Sequence, residues 1–446
     1  MRRPIQAQRF PHSMRNRLSR RPGLARLSAL HFELLLGLGM RAAGALSAFA
    51  MTWVIARSSG AATFGQFQLA VATVSILALV TLQGLDRVII RAASPAFARQ
   101  QAGEALNLFI AACWRQMLVG LPIVFGLVLL AGPVGLHILD EPAVAVHLRI
   151  LAPAVIGLSI IRSSSALLRA KGSILISQSV DGVAYTTLAV IAIGIAVLSG
   201  SGVSEFTPSA VYLVSVLAVA LAGFGVAKAA LKGVARQSGP VALASGLFIA
   251  GFNVLSAFGD WIALFLLTAY SSSADAGIYR AGFQVCLLFT LVNASFSMMA
   301  GTRLATAFAA GDAQSMKQTV RATSLLGTLL VLPLFLLVLF AAEPILSIFG
   351  EDFVAGANAL RILAIGQFLN VAAGPAGAAL TMMHRERSVL LIEIATTLAT
   401  IALLVWLLPS HGILAAAAAA ASAAAIRNGA SLIVMYRALK GLNPNP

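Results

Sequence analysis

The chain has 446 residues, of which 59% are hydrophobic and only 10% are charged, and Lys and Arg outnumber Asp and Glu by 31 to 15. Soluble domains carry about a quarter charged residues. The composition therefore excludes an ordinary soluble domain and predicts a protein that lies mostly within a lipid bilayer.

Apolar runs long enough to cross a bilayer follow one another along the whole chain, since each crossing needs about 20 apolar residues. We predict twelve spans, at 32–56, 67–88, 111–133, 148–168, 174–198, 209–231, 241–268, 281–302, 321–342, 357–380, 388–408 and 412–436. The alternating pattern of a β-barrel is not present in these runs. The predicted fold class is thus an all-α polytopic membrane protein.

The sequence repeats itself at an offset of about 212 residues. Residues 148–151 (LRIL) return unchanged as 360–363, and Gly65 returns as Gly277 in a similar context. A hydrophobic duplication of this size is typical of transporters built from two like bundles around a central site. We therefore predict two six-helix bundles, at 32–235 and 236–446, after a basic tail at 1–31.

The positive charge is unevenly distributed along the chain. If the amino terminus is cytoplasmic, most of the 31 Lys and Arg fall on the predicted inner segments, and few fall on the outer ones. This is the positive-inside bias, and it predicts that both termini are cytoplasmic. The charge therefore does not indicate nucleic-acid binding. The tail at 1–31 is expected to contact anionic lipid or, alternatively, a protein partner, and no cleaved signal peptide is predicted.

Motifs for catalysis are not found. The predicted outer loops are short, and the sequence has no metal-ligand spacing, no nucleotide-binding glycine pattern and no nucleophile elbow. Cys113 and Cys286 lie in apolar runs and are expected to be buried thiols rather than a disulfide. We predict a protein that is not an enzyme and that uses neither a cofactor nor a metal.

The segment from Leu35 to Arg91 carries a family resemblance. A turn containing Phe64 and Gly65 follows the first span, and Gly84-Leu85-Asp86-Arg87 ends the second. This arrangement resembles the polysaccharide-biosynthesis flippases, the Wzx-like branch of the multidrug/oligosaccharidyl-lipid/polysaccharide exporter superfamily. In span count, length and duplication, the resemblance extends over essentially the whole chain.

The resemblance implies a function. A protein of this kind would move a polyprenyl-diphosphate-linked oligosaccharide, the repeat unit of a surface polysaccharide such as an exopolysaccharide or lipopolysaccharide, from the inner to the outer leaflet of the bacterial cytoplasmic membrane. The two bundles would form a V-shaped cavity lined chiefly by spans 1, 2, 7 and 8, with cations in it receiving the diphosphate. A polysaccharide polymerase and other assembly proteins would be its protein partners.

Three arginines are candidates for substrate binding. Arg41 lies about seven residues into span 1, where an arginine can bind phosphate oxygens with two hydrogen bonds. The alternative is that Arg41 extends to the inner headgroups. Arg280 and, more weakly, Arg57 lie near the predicted outer mouth and could hold the diphosphate before release.

Acidic residues within the spans require a reason, because a charge near the bilayer centre costs about 2.5–3.5 kcal/mol. Asp260 in span 7 is expected to act in gating or coupling, or else to form a static ion pair with Arg280 or Arg57. Glu393 in span 11 is a second candidate for proton or sodium coupling if its predicted partner points elsewhere.

Two structural ion pairs are predicted from depth along the helices. Asp181 and Glu393 occupy equivalent positions in the repeat, which favours a structural role for both. Counting residues across the hairpin between spans 4 and 5 places Arg162 opposite Asp181. Arg427 lies at the depth of Glu393 and is its predicted partner.

Two other functions remain open at this point. One is a cation-coupled multidrug or small-molecule antiporter of the same superfamily, although such a protein would favour acidic residues and aromatics in its cavity. The other is a scaffold in a polysaccharide-assembly complex that transports nothing.

Overall fold

The computed structural model describes residues 24–199, 204–231 and 247–440. Most of the predicted basic tail at 1–31 and the predicted boundary between the bundles at 235/236 lie outside these residues. The division of the chain into a tail and two bundles therefore stays a prediction.

All regular structure in the described residues is helical. The first half contains α1 (Leu24–Leu82), α2 (Leu85–Ala98), α3 (Ala102–Pro133), α4 (Pro142–Leu151), α5 (Ala154–Ala170), α6 (Ile174–Gln178), α7 (Ala184–Leu198) and α8 (Thr207–Ala229). Single π-helical turns extend α3 at Val134–Ile138 and join α6 to α7 at Ser179–Val183.

The second half follows a similar order. It contains α9 (Leu247–Tyr270), α10 (Ser273–Ala309), α11 (Ala313–Phe340), α12 (Ala342–Ser347), α13 (Ala357–Ala372), α14 (Ala376–Met382) and α15 (Glu386–Lys440). A 3-10 turn at Glu351–Gly356 leads from α12 into α13.

Within the described part of the chain, nine helices are long and apolar enough to cross a membrane, and a tenth span results if α4 and α5, bent by 42°, are taken together. Two of the nine helices contain an internal break. The backbone leaves helical geometry at Gly60 in α1, where φ is 77°, and at Gly412 in α15, where φ is 48°. Positive φ of this kind is readily adopted by glycine alone, so each break falls where the sequence permits one.

Apolar side chains lie on the outside of the molecule as well as in its core. On α3 and α11, which occupy equivalent places in the repeat, Leu118, Phe125, Leu325 and Leu329 are all more than half exposed. A large exposed apolar surface is unfavourable in water but is the normal surface of a helix in hydrocarbon. The structure is therefore that of a polytopic membrane protein.

Contacts between the two halves are concentrated on one helix. In the described residues, α1 packs against α9 and α10 and also reaches the 3-10 turn at Glu351–Gly356. Deep in this interface, the indole nitrogen of Trp261 donates a hydrogen bond to the hydroxyl of Thr73 at 2.9 Å. Helix α1 thus connects the halves, and its segment after Gly60 forms much of the wall between them.

Candidate functional site

Within the described residues, the two halves approach each other closely where two glycines cross, one from each repeat. A β-carbon on Gly65 would overlap the carbonyl oxygen of Ser273 and would lie 2.8 Å from the backbone nitrogen of Gly277. A β-carbon on Gly277 would overlap the carbonyl oxygen of Ala61 and would lie 3.0 Å from the nitrogen of Gly65. We call these four residues the glycine crossing.

The glycine crossing is symmetric. Gly65 and Gly277 are 212 residues apart, and so are Ala61 and Ser273, so each half presents the same two positions to the other. An approximate twofold axis therefore passes between the two glycines. Because a side chain at either glycine would strike the partner's backbone, the contact requires glycine on both sides.

Aromatic residues from the two halves pack close to this crossing along the chain. Phe64, beside Gly65, has its ring centroid 6.1 Å from that of Phe353, and Phe49 lies 5.6 Å from Phe349. The indole nitrogen of Trp53 donates to the carbonyl oxygen of Ile348 at 3.0 Å. These contacts close the interface at the end that the sequence predicts to face outward.

Four charged residues form a cluster in the second half, contributed by three helices. Asp260 on α9 lies within electrostatic range of Arg280 on α10 and of Arg427 and Glu393 on α15. We call these four residues the C-terminal charge cluster. Asp260 is exposed, and the charges that act on it belong to other helices.

Arg280, one of the two cations of this cluster, lies beside an aromatic ring. Its guanidinium lies 5.4 Å from the ring centroid of Phe283 and is half-buried. In the described residues, no carboxylate lies within ion-pair distance of it, although Asp260 is in electrostatic range. Arg280 and Arg57 were the two predicted ion-pair partners of Asp260. The structure brings Arg280 near Asp260, and not Arg57.

Glu393 and Arg427 are in direct contact. The Nε of Arg427 lies 3.2 Å from a carboxylate oxygen of Glu393. The glutamate side chain is 6% exposed, while that of the arginine is 46% exposed. The arginine thus neutralises a buried carboxylate while its outer edge stays accessible. The neutralisation matters because an unpaired buried charge is costly.

The repeat-equivalent carboxylate, Asp181, has a different partner from the one predicted. The carboxylate of Asp181 accepts from the guanidinium of Arg169 at 3.4 Å, and Arg162 is only in electrostatic range. The prediction of a direct Arg162–Asp181 contact is wrong because it counted residues along two straight α-helices. In the structure, Asp181 lies in the π-helical turn at Ser179–Val183, which changes the rotation of the helix.

Asp181 belongs to a charged cavity in the first half. This cavity has a volume of about 280 Å³ and is lined by Asp86, Arg87, Ile90, Arg162, Ala166, Arg169 and Asp181. Sequence reasoning did not assign Asp86, Arg87 or Arg169 to a site. The Gly84-Leu85-Asp86-Arg87 sequence at the start of α2 was the signal that could have identified the first two.

Arg41 lies on the first segment of α1 and is exposed. It follows Gly37 by four residues and precedes Gly44 by three, so the three positions share one side of the helix. The β-carbon positions of Gly37 and Gly44 face Gln178 and Val183 across the interface with the π-helical turn. Arg41 therefore lies beside the contact between α1 and the π-helical turn that carries Asp181, far along α1 from the glycine crossing.

Arg57 is also exposed and lies three residues before the break at Gly60. The structure therefore separates the three candidate arginines. Arg280 joins the C-terminal charge cluster, whereas Arg41 and Arg57 lie 16 residues apart on the first segment of α1. As for metals, no group of three or more His, Cys, Asp or Glu side chains that could hold an ion is found in the described residues.

Solved structures with a similar fold include transporters and a flippase. A multidrug resistance MATE family transporter of the MOP superfamily, in an inward-facing conformation, superposes with a TM-score of 0.76 at 12% identity, over 90% of this chain and 96% of the other. The lipid II flippase MurJ, in an inward closed conformation, gives a TM-score of 0.71 at 13% identity, over 90% and 87%. A MOP superfamily transporter from Pyrococcus furiosus, described as having a binding pocket of reverse polarity, gives 0.66 at 13%, over 92% and 94%.

Family models match both parts of the chain, whereas no curated protein matches its sequence. The MatE family model matches residues 249–406, a range that contains Asp260, Arg280 and Glu393. The model of the polysaccharide biosynthesis protein family matches residues 38–301, more than half of the chain. With its helical fold shared by transporters and flippases of the MOP superfamily, the chain belongs to the polysaccharide biosynthesis protein family.

Proposed function

We propose that this protein is a flippase that moves a lipid-diphosphate-linked oligosaccharide from the inner to the outer leaflet of the cytoplasmic membrane. The observation that carries the proposal is Arg280, a half-buried interior guanidinium with no carboxylate in ion-pair distance among the described residues. A cation held inside a membrane protein without an ionic partner favours an anionic ligand. A diphosphate supplies that anion, and the family match supports a glycan carrier.

The proposal includes twelve spans in two bundles of six. The ten spans counted above become twelve if α1 and α15 each cross the membrane twice, with the breaks at Gly60 and Gly412 as the turns between crossings. An even number of spans places both termini on the same side. The distribution of Lys and Arg along the sequence supports the cytoplasmic side.

Alternating access accounts for the glycine crossing. With the proposed topology, the crossing and the aromatic contacts beside it close the outer mouth, so that the cavity between the bundles opens inward. A comparison of conformations supports this state. The TM-score is 0.76 with the inward-facing structure of a MATE family transporter and 0.64 with an outward-facing one.

The charged residues then divide into two roles. Arg41 would meet the diphosphate at the inner entrance, and Arg280 would hold it deeper, beside the closed mouth. Arg57, on the outer side, would take part in release. Asp260 and Glu393 would couple or gate the movement, since Asp260 lies in electrostatic range of Arg280 and of the paired Glu393 and Arg427.

The test is translocation in proteoliposomes. The probe is a fluorescent polyprenyl-diphosphate disaccharide, and the readout is loss of protection from a membrane-impermeant quencher. We expect protein-dependent translocation that falls at least about tenfold in Arg280→Gln and Arg41→Gln, since each loses a charge-assisted contact to phosphate. Lys228→Gln, which removes an exposed charge from the end of α8, is the matched control and should translocate normally.

A second probe with a monophosphate in place of the diphosphate measures the dependence on charge. Slower translocation of the monophosphate by the unaltered protein is expected. Equal rates for both probes, or rates in Arg280→Gln equal to those of the unaltered protein, would contradict the assignment of Arg280.

The runner-up is a cation-coupled multidrug or small-molecule antiporter. The MatE match over residues 249–406 and the accessible carboxylate of Asp260 favour it. Gradient-driven export of an organic cation, together with failure to move any lipid-diphosphate sugar, would establish this function instead.

A further inference from the structure

Each half of the protein has a groove on its outer surface, formed by equivalent helices. The groove of the first half has a volume of about 490 Å³ and lies among α3, α5 and α8. The residues that matter for the comparison are Ile110, Cys113, Met117 and Phe224. The other side chains that line it are apolar or aromatic, and the indole of Trp114 is the one N–H or O–H group among them.

The groove of the second half has a volume of about 400 Å³ and lies among α11, α13 and α15. The positions equivalent to the four above are occupied by Arg321, Ser324, Thr328 and Tyr436. The offset is 211 residues on α11 and 212 on α15, the same offsets that relate the two repeats elsewhere. The two grooves are therefore one structural feature that has become polar in the second half only.

Both grooves open toward the surroundings of the protein rather than toward its centre. Trp114 in the first groove is 72% exposed, and Leu325, at the equivalent position of the second, is 62% exposed. Farther along α11, Leu329 is 56% exposed. Exposed leucine and tryptophan are the normal lipid-facing residues of a membrane helix, so the space in front of each groove is open to acyl chains.

The polar residues of the second groove lie at the depth of lipid headgroups. Arg321 is eight residues from the start of α11, or about 12 Å along the helix axis. Tyr436 is four residues from the end of α15, on the same side of the membrane in the proposed topology. In the described residues, neither side chain has an ionic or hydrogen-bonding partner. An unpaired guanidinium and a phenol at this depth can both donate to a phosphate.

We propose that this second groove is a binding site for an anionic phospholipid of the cytoplasmic leaflet. The phosphate would be held by Arg321 and Tyr436, with Ser324 one helical turn deeper toward the glycerol. The acyl chains would lie along Leu325 and the apolar part of the groove. The groove of the first half takes acyl chains without selecting a headgroup.

The inference assigns the site to a lipid of the bilayer and not to the transported substrate, because the groove opens among exposed leucines on the outside of the bundle. It goes beyond the proposed function, and it would hold for an antiporter as well. Basic pockets between membrane helices on the cytoplasmic side are a known way of binding anionic lipid.

The test uses the equivalence of Trp114 and Leu325. In one protein, Trp114 is kept as the only tryptophan and the other three are replaced by phenylalanine. In a second protein, all four are replaced and Leu325→Trp places the reporter in the second groove. Quenching by phosphatidylglycerol with brominated acyl chains is compared with quenching by brominated phosphatidylcholine, in vesicles of otherwise equal composition.

At position 325, we expect phosphatidylglycerol to bind about fivefold more tightly than phosphatidylcholine. This is the gain in affinity for anionic lipid that one arginine near the membrane surface gives. Arg321→Gln should abolish this preference, while Lys228→Gln should leave it unchanged. At Trp114, the two lipids should quench equally. Normal quenching of Trp114 in the Arg321→Gln background shows that the variant is folded.

Equal quenching by the two lipids at position 325 would overturn the proposal. Displacement of the brominated phosphatidylglycerol by a small excess of lipid-diphosphate sugar would also overturn it, because the groove would then belong to the substrate. Neither result depends on translocation, so failure of this inference and failure of the flippase assignment can be distinguished.

Discussion

The two halves of this protein share a frame but not their charges. At the glycine crossing, each half presents the same residues, Gly65 and Gly277, to the other. Elsewhere the chemistry differs. Asp181 is partly exposed and bound to Arg169, whereas its equivalent Glu393 is buried and bound to Arg427.

The chemical differences between the halves therefore lie in their charged residues and not in the two crossing glycines. The two glycines that cross between the halves stay alike, because a close twofold contact needs the same shape on both sides. Residues that line cavities are free to change. The second half has gained an interior arginine, Arg280, and an accessible acid, Asp260, while the first half has gathered its charges into the cavity around Asp181.

The largest effect is expected from a substitution in the glycine crossing. Gly65→Ala and Gly277→Ala should each destabilise the closed mouth by about 3 kcal/mol, since the added β-carbon meets backbone that cannot move aside. Both should lower the melting temperature and slow translocation by similar amounts. Gly126→Ala in α3 is the control, because its β-carbon meets open space. A strong effect at only one of the two glycines would contradict the twofold account.

The next effect is expected from Arg427→Gln. Loss of the arginine leaves the buried carboxylate of Glu393 without its counter-charge, which should cost about 2 kcal/mol in thermal unfolding. The double variant Arg427→Gln/Glu393→Gln should recover most of this loss, because it leaves no unpaired charge. A double variant that is less stable than Arg427→Gln alone would show that the pair is not the source of the effect.

Asp260→Asn tests a difference between the halves in transport rather than in stability. If Asp260 couples transport to an ion gradient, the gradient-driven translocation rate should fall about tenfold in the variant. The rate without a gradient should be unchanged. Translocation is to be measured with and without proton and sodium gradients. Asp181→Asn is the matched control in the first half and should keep its response to the gradient. Loss of that response in Asp181→Asn would contradict the assignment of coupling to the second half.

The smallest effect is expected at the ion pair of the first half. Asp181 and Arg169 are both partly exposed, so Asp181→Asn should lower stability by no more than about 1 kcal/mol. Differential scanning fluorimetry at low and high salt can measure it, with a smaller difference at high salt. A loss of stability equal to that of Arg427→Gln would contradict the distinction between a partly exposed ion pair in the first half and a buried carboxylate in the second.

The sequence was sufficient to predict helices, duplication and family, because these depend on patterns that extend over many residues. The approach of Arg427 to Glu393 also followed from depth, since both residues lie in long apolar stretches of α15 where residue counting is reliable. The contact of Asp181 could not be obtained in this way. A single π-helical turn at Ser179–Val183 alters the phase of the helix, and the sequence gives no clear sign of it.

Other features required side-chain positions. Gly65 and Gly277 were recognised as repeat mates, but a pattern match does not tell that two equivalent residues touch each other. The polar groove at Arg321 was missed for a similar reason. Its residues are spread over α11 and α15, and only packing shows that they share one surface.

The central claim is that the two halves separate at the closed mouth when substrate crosses, and a reversible cross-link tests it most directly. Cys113 and Cys286 are first replaced by alanine, and cysteines are placed at Phe49 and Phe349, whose rings are 5.6 Å apart. A short reducible bifunctional thiol reagent then joins the halves. A control pair at Phe67 and Tyr212, 5.9 Å apart, lies within the first half.

Translocation of the lipid-diphosphate disaccharide is measured before cross-linking, after it, and after reduction. The account predicts that the Phe49/Phe349 cross-link stops translocation, that reduction restores it, and that the control cross-link leaves it unchanged. Undiminished translocation with the halves joined at this mouth would contradict the account.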